Sequence, residues 1–370
     1  MFQNKLMIFQ IDPDIRKAKT IASDFYTDER YFELSRERIF GHSWHFVGHA
    51  SEFSGLKPMT ILPGFLDEPV LLVKSDETLT CLSNVCTHRG KILVEEPCKA
   101  NLIRCGYHGR RFSLDGKFLS MPEFDGVEDF PCESDNLRQL AFAVRQGFMF
   151  ASLYPVETFD GFVSDVATRF SDDDFYANGL RLTATREYEV EAHWALYCEN
   201  YLEGFHIPYV HHALNEVVDY GSYSTETFRY SSLQTARSEP GTRVAAGLLS
   251  AENSAPVTVV PGSDPNVAAR YLFIFPNIMF NFYPWGISVN VVRPVSPSKT
   301  VVEFFSYVSD ESLIETGAGA DLHGVEMEDE AVVESVQKGI RSRFYSHGRY
   351  SPTRETGTHH FHRLIAEFLG

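Results

Sequence analysis

The chain has 370 residues, enough for two hydrophobic cores, with the 44% hydrophobic and 22% charged content of a folded globular protein. A formal net charge of −17 leaves no surplus of Lys and Arg to neutralise phosphates, so nucleic acid is excluded as an expected partner. No apolar run approaches the roughly 20 residues that span a bilayer, no apolar core of a signal peptide lies in residues 1–13, and six cysteines make no disulfide scaffold, so a cytoplasmic protein is expected.

Residues 1–40 read as a helical segment that packs on a later domain, with charged and apolar positions mixed from Ser23 to Phe40. From 41 to 155 the pattern changes to short strand-like runs, such as Val70–Val73, Thr78–Leu82 and Phe142–Leu153. Turn signals at Pro63-Gly64 and Asp115-Gly116 break them, as in a small β domain. Residues 156–370 form the second domain. There Arg181–Val190 alternates like a strand, and Ala192–His212 reads as a helix that Pro208 must interrupt. Ser222–Pro265 is polar and reads as loops covering an active site. Four dense runs follow, Tyr271–Phe275, Ile278–Tyr283, Ile287–Val295 and Thr300–Val308, separated by Pro and Gly as in an antiparallel meander. Helices are expected around Glu326–Arg343 and Gly357–Leu369, with His359, His360 and His362 on a helix surface. The fold class is α+β: a β domain inserted in a domain whose antiparallel sheet is covered by helices.

The strongest local signal is Cys86-Thr87-His88, then sixteen residues, then Cys105-Gly106-Tyr107-His108. Each loop offers one thiolate and one imidazole. A two-iron cluster can take both Cys on one iron and both His on the other, the arrangement of a Rieske centre. The alternative is zinc, whose loops usually space ligands by two to four residues; the single residue between Cys86 and His88 speaks against it. Cys86-Thr87-His88-Arg89-Gly90 and Cys105-Gly106-Tyr107-His108-Gly109 resemble the Rieske motif of ring-hydroxylating oxygenase α subunits. Respiratory Rieske proteins carry an extra disulfide and a Ser beside the cluster, where this chain has Lys91, Tyr107 and Arg110. Fewer hydrogen bonds to sulfur imply a lower potential, suited to feeding oxygen chemistry. Many oxygenases have Trp where Arg110 stands, so Arg110 is expected to alter a reductase docking surface.

The second signal is the run from Glu199 to His211. An iron that activates O2 uses two His and one carboxylate on one face, with open positions opposite. His206 and His211 are five apart, and Pro208 breaks the helix that would otherwise separate them; Glu203 lies one turn before His206. The segment resembles the iron-binding helix of the same α subunits. That resemblance implies His206 and His211 as ligands, Asn200 near the iron, and Glu203 as the carboxylate bridging to a neighbouring subunit's cluster His. His212 is a weaker candidate. Glu at 203 and the Glu-Asn-Tyr-x-Glu spacing look like carnitine and choline monooxygenases. For the third ligand, apolar positions 325, 332, 333, 336 and 340 form a helical stripe that contains Asp329, while Glu328 and Glu330 point elsewhere. A buried carboxylate needs a partner, either iron or a salt bridge to Arg341 or Arg343; the family pattern favours iron.

The resemblance thus implies a terminal oxygenase with one [2Fe–2S] cluster held by Cys86, His88, Cys105 and His108, and one mononuclear Fe(II) held by His206, His211 and Asp329. It implies a helix-grip (START-like) catalytic domain, a homotrimer with electrons crossing through His108, Glu203 and His206, O2 as co-substrate and a small organic substrate. Without a Gly-x-Gly-x-x-Gly fingerprint, electrons are expected from a separate NAD(P)H-dependent reductase. Aromatic residues Phe205, Phe282, Tyr283 and Trp285 are the expected substrate contacts, with a quaternary ammonium compound favoured. The alternatives are a ring dihydroxylase, an aromatic O-demethylase, or a Rieske electron carrier with no mononuclear iron.

Overall fold

The computed structural model describes residues 8–75, 78–170, 179–211, 219–237, 267–314 and 322–370. The chain divides into two compact units: one runs from Gly41 to Phe159, the other joins the segment ending at Phe40 to that beginning at Asp160. The second boundary lies beyond 155 because Glu157 and Phe159 pack inside the smaller unit. Trp44 Nε1 donates to the Glu157 carbonyl at 3.1 Å, and the Phe159 ring stacks on Phe150 at 4.2 Å.

The smaller unit is built from three antiparallel sheets of three strands each. β1 (His45–His49), β9 (Phe148–Ser152) and β8 (Ala141–Arg145) form one; β2 (Gly55–Ile61), β3 (Glu68–Ser75) and β4 (Thr78–Ser83) form another. β5 (Ile103–Arg104), β6 (Arg111–Phe112) and β7 (Phe118–Ser120) form the third. Leu56, Leu71, Val73, Leu82, Ile103 and Phe112 make a core that also encloses Cys86 and Cys105. The two cysteines therefore sit on the inner ends of their loops, anchored by apolar packing.

In the larger unit, α1 (Asp24–Thr27) and α2 (Glu29–Arg38) precede α3 (Phe159–Ala167), whose first residue still belongs to the smaller unit. One seven-stranded antiparallel sheet follows in the order β10 (Arg181–Val190), β16 (Lys299–Val308), β15 (Gly286–Ser296), β14 (Ile278–Tyr283), β13 (Val267–Ile274), β12 (Ser231–Arg237) and β11 (Ser224–Thr227). The four expected meander strands are all present. Ser222–Arg237, expected as loop, instead supplies two strands at the sheet's edge; residues 238–265 of that stretch lie outside the described residues, as does His212. Of the polar side chains there, Gln234 is held inside the fold: it accepts from Tyr223 Oη at 3.1 Å and donates to the Tyr201 carbonyl at 2.6 Å.

Helix α4 (Trp194–Tyr201) packs against α6 (Leu322–Gly339) and β15, and α5 (Ile207–Val210) is a single turn. Pro208 does not interrupt a helix. It stands in the first turn of α5, where its missing N–H would have no intrahelical partner. The break falls earlier, at residues 202–206, so Glu203 meets His206 through a turn and not along a helical face. The C-terminal α7 (Thr356–Leu369) carries His359 and His362 inward, correcting the surface expectation. His362 lies 2.6 Å from the Tyr350 hydroxyl and 3.0 Å from Glu199, and His359 Nε2 lies 2.8 Å from the Asp12 carbonyl.

Candidate metal centres and active-site cavity

The two Cys-x-His loops have matching backbones. Cys86 N–H donates to the Lys91 carbonyl at 2.8 Å and Gly90 N–H to the Cys86 carbonyl at 3.0 Å. In the second loop Cys105 N–H donates to Arg110 at 2.8 Å and Gly109 N–H to Cys105 at 3.1 Å. Each turn closes through a left-handed residue, Gly90 at φ 72° and Gly109 at φ 75°, a conformation that a side chain would strain. The result is two equivalent fingers. The His88 and His108 rings stand edge to face at 4.8 Å, and His108 Nδ1 is buried with no hydrogen-bond partner. Burial pushes the Cys86 thiol up, while Cys105 is held down, against its own burial, by the Tyr107 N–H and Cys86. A buried imidazole nitrogen without a partner and two buried thiols on facing loops are what a metal cluster would complete.

Arg110 does not reach a docking surface. It is only 2% exposed, paired with Asp135 at 2.6 Å and surrounded by the rings of Phe112, Phe118 and Phe130. The guanidinium is a buried structural cation beside the cluster loops.

In the larger unit, His206, His211 and Asp329 bring their donor atoms within 4.8 Å of one another, the one such group of three among the described residues. Asp329 Oδ1 is the meeting point, 3.0 Å from His211 Nε2 and 3.5 Å from His206 Nε2. Asn200 Nδ2 donates to the same oxygen at 2.6 Å. The far nitrogen of each ring is held by a glutamate: His206 Nδ1 lies 2.8 Å from Glu203 Oε1, and His211 Nδ1 lies 2.7 Å from Glu328 Oε2. Burial lowers the His211 pKa, but Asp329 and Glu328 outweigh it and the net shift is upward. Two imidazoles and one carboxylate on one side, each ring fixed from behind, fit a mononuclear iron with open positions opposite.

Glu328 lies off the buried face of α6, as expected, half exposed, yet its carboxylate still reaches His211 Nδ1. Glu330, also expected to point away, is buried instead: the buried residues are Glu326, Glu330, Val333 and Gln337, not the apolar stripe through Val336, which is exposed. Polar contacts fix part of this side of the helix. Tyr197 Oη donates to Glu326, Gln337 Oε1 accepts from the His193 N–H at 2.9 Å, and Glu334 Oε1 accepts from the Glu191 N–H at 3.0 Å. Asp329 lies on the flank of that face, partly buried, while Arg341 and Arg343 are exposed.

The triad opens into a cavity lined by Tyr201, Tyr223, Tyr271 and Tyr283, by Asn281, Ser288 and Asn290, and by Glu203 and Glu326. Tyr271, Asn281 and Ser288 are register partners across β13, β14 and β15, so one row of the sheet supplies the polar wall. Burial is the largest cause that keeps these phenols protonated, with Tyr271 pushed up to about 12. Burial likewise pushes the Glu326 carboxyl up to about 8, with Asp329 and Glu330 adding to the shift and the Tyr197 hydrogen bond opposing it.

Of the four aromatic residues expected at the substrate, only Tyr283 lines this cavity. Phe282, one residue away, faces the other side of β14 by strand alternation and packs on Phe170 at 5.0 Å. Trp285 lies behind Tyr283, stacked at 5.3 Å, and Phe205 is 37% exposed. Tyr197, Tyr201, Tyr223, Tyr271 and Glu326 were not singled out. Their signal lay in a high Tyr content whose placement only the sheet register reveals.

Residues 178–370 match the model of the ring hydroxylating alpha subunit (catalytic domain), and residues 43–131 that of the Rieske [2Fe-2S] domain. The chloroplastic choline monooxygenase of Arabidopsis thaliana is 29% identical, over 97% of this chain and 85% of that protein. The carnitine monooxygenase oxygenase subunit of Escherichia coli K12 is 28% identical, over 95% of this chain and 94% of that one. A crystal structure of the quaternary ammonium Rieske monooxygenase CntA superposes with a TM-score of 0.75 at 25% identity, covering 98% of this chain and all of the other. With the Rieske domain and the catalytic domain both matched, the chain belongs to the ring-hydroxylating α-subunit family and is a Rieske-type oxygenase of one [2Fe–2S] cluster and one mononuclear iron.

Proposed function

We propose that this oxygenase hydroxylates a small quaternary ammonium compound, with electrons from a separate NAD(P)H-dependent reductase. The observation that carries the reading is the cavity lining beside His206, His211 and Asp329: five tyrosine rings, two glutamates, and no Lys or Arg among the described lining residues. Each ring face attracts a desolvated ammonium by about 0.5–2 kcal/mol, and the acids add to that field. The relatives named above for choline and carnitine support the same class. Iron held by His206, His211 and Asp329 would supply O2 activation. The chain's own residues do the rest: Glu203 and Glu328 orient the imidazoles, Asn200 fixes the Asp329 carboxylate, and the tyrosine wall holds the substrate against them.

The same reading includes a homotrimer in which one subunit's cluster serves the next subunit's iron through His108, Glu203 and His206. Its support is the exposed aromatic surface at both ends of that path. Tyr107 is exposed beside His108, and Phe205 and Tyr209 are exposed beside Glu203. The substrate test couples the purified protein to a matched reductase and follows NADH consumption against product. Choline- or carnitine-type compounds should give stoichiometric oxidised product. Coupled turnover only with an arene or an aryl methyl ether would sink the reading in favour of a ring dihydroxylase or O-demethylase.

A further inference from the structure

Glu326 is only 4% exposed, yet it lines the cavity one helical turn before Asp329. Its two oxygens share a single donor, the Tyr197 hydroxyl, at 2.9 and 2.7 Å. A carboxylate offers about four lone-pair positions, so one phenol proton leaves most of that capacity unused. The charges that bear on it, Asp329 and Glu330, are both negative, and burial is a larger penalty still. The ionised form is therefore costly in the empty cavity, where the group holds its proton, and a cation beside it is what stabilises the charge. No Lys or Arg among the described lining residues does so.

We propose that Glu326 is the counter-ion for the cationic head of the substrate, with the faces of Tyr201, Tyr271 and Tyr283 completing its cage. The proposal rests on the quaternary ammonium reading and names the residue that enforces it. A trialkylammonium head presents only C–H groups, so it gains nothing from hydrogen-bond acceptors as such. It needs negative potential in a dry site, which a buried carboxylate and ring faces both supply. A substrate carboxylate in the same cavity meets repulsion from Glu326 and Glu203, whereas Asn281 and Asn290 suit a neutral hydroxyl. The cavity therefore favours a cation whose far end is neutral over a zwitterion.

The test uses the metal-loaded enzyme with choline and with 3,3-dimethylbutan-1-ol, the same shape with carbon in place of nitrogen and no charge. Binding is read by calorimetry, and turnover by the split between KM and kcat. Wild type should hold choline at least about tenfold more tightly than the neutral isostere. Glu326→Gln keeps the size and the Tyr197 hydrogen bond, and it should abolish that preference by weakening choline alone, raising KM more than it lowers kcat. Glu326→Asp should restore part of the preference, and iron per chain should not change in either variant. Equal weakening of both ligands, or loss of iron, overturns the proposal, because Glu326 would then serve packing or the metal. If wild type neither binds nor oxidises any quaternary ammonium compound, the substrate reading itself fails. If it oxidises them and Glu326→Gln does not discriminate, only the counter-ion role falls.

Discussion

Each imidazole of the triad is gripped from behind, His206 by Glu203 and His211 by Glu328. Such partners fix a ring's rotation and make its metal-facing nitrogen more basic. Glu328→Gln should therefore weaken iron binding by about 10- to 100-fold while the visible spectrum of the cluster stays as it is. Iron content after graded chelator dialysis measures this, and unchanged retention would show the contact to be idle. The candidate ligands themselves were legible in the sequence because they sit in short motifs. Glu328 was not, since it lies off the buried face of its helix and meets His211 only through the packing of segments more than a hundred residues apart.

The start of α4 carries a titrating group whose effect belongs to the element. His193 caps the helix, its Nδ1 accepting from the Ala195 N–H at 3.3 Å, and Phe25 packs edge-on at 5.1 Å. Burial holds the imidazole down to about 3, against about 6.5 in an unfolded chain. As pH falls through 6.5, the unfolded state takes up a proton that the folded state refuses. This contribution to stability is complete above 6.5 and declines below it, by about 2 kcal/mol at pH 5. His193→Asn keeps a capping oxygen and should flatten that part of the slope when urea unfolding is compared at pH 7.5 and pH 5. Parallel losses in both proteins would clear His193. The meander strands were legible for a simple reason: β14 to β16 are dense in Val, Ile and Phe. β11 and β12 were not, because their composition is polar: β11 is an exposed edge strand of Ser, Thr and Glu, and β12 buries Ser and Gln with few apolar residues to mark it.

At the scale of the whole molecule, the proposed trimer makes a prediction that no single chain could meet. A His108→Ala variant lacks a cluster ligand and an Asp329→Ala variant lacks an iron ligand, so each alone should be inactive. Co-expressed, they should form mixed trimers in which an intact cluster of one subunit faces an intact iron site of the next. Random assembly restores about a quarter of such pairings, and activity should recover toward that level. Mixed trimers that stay inactive would place electron transfer within one chain. The division into two metal-bearing units was readable from the motifs, because each ligand set is local in sequence. What brings Asp329 to His206 across more than a hundred residues was not, since that is the work of sheet order and helix packing.

One consequence follows from the polar seam of α6. Apolar contacts tolerate sliding and rolling, but hydrogen bonds are directional. Gln337 and Glu334 grasp the backbone N–H groups of His193 and Glu191, the stretch that leads directly into α4. The helix is thus keyed like a shaft in a slot, and its rotation is set relative to the helix that bears Asn200. Asp329 inherits that angular fix, while Leu322 and Val325, on the same helix and facing the cavity, carry none of it. The wall that shapes the substrate can drift through substitution while the ligand that holds iron stays in place, so new specificities are open to this scaffold without rebuilding its metal site.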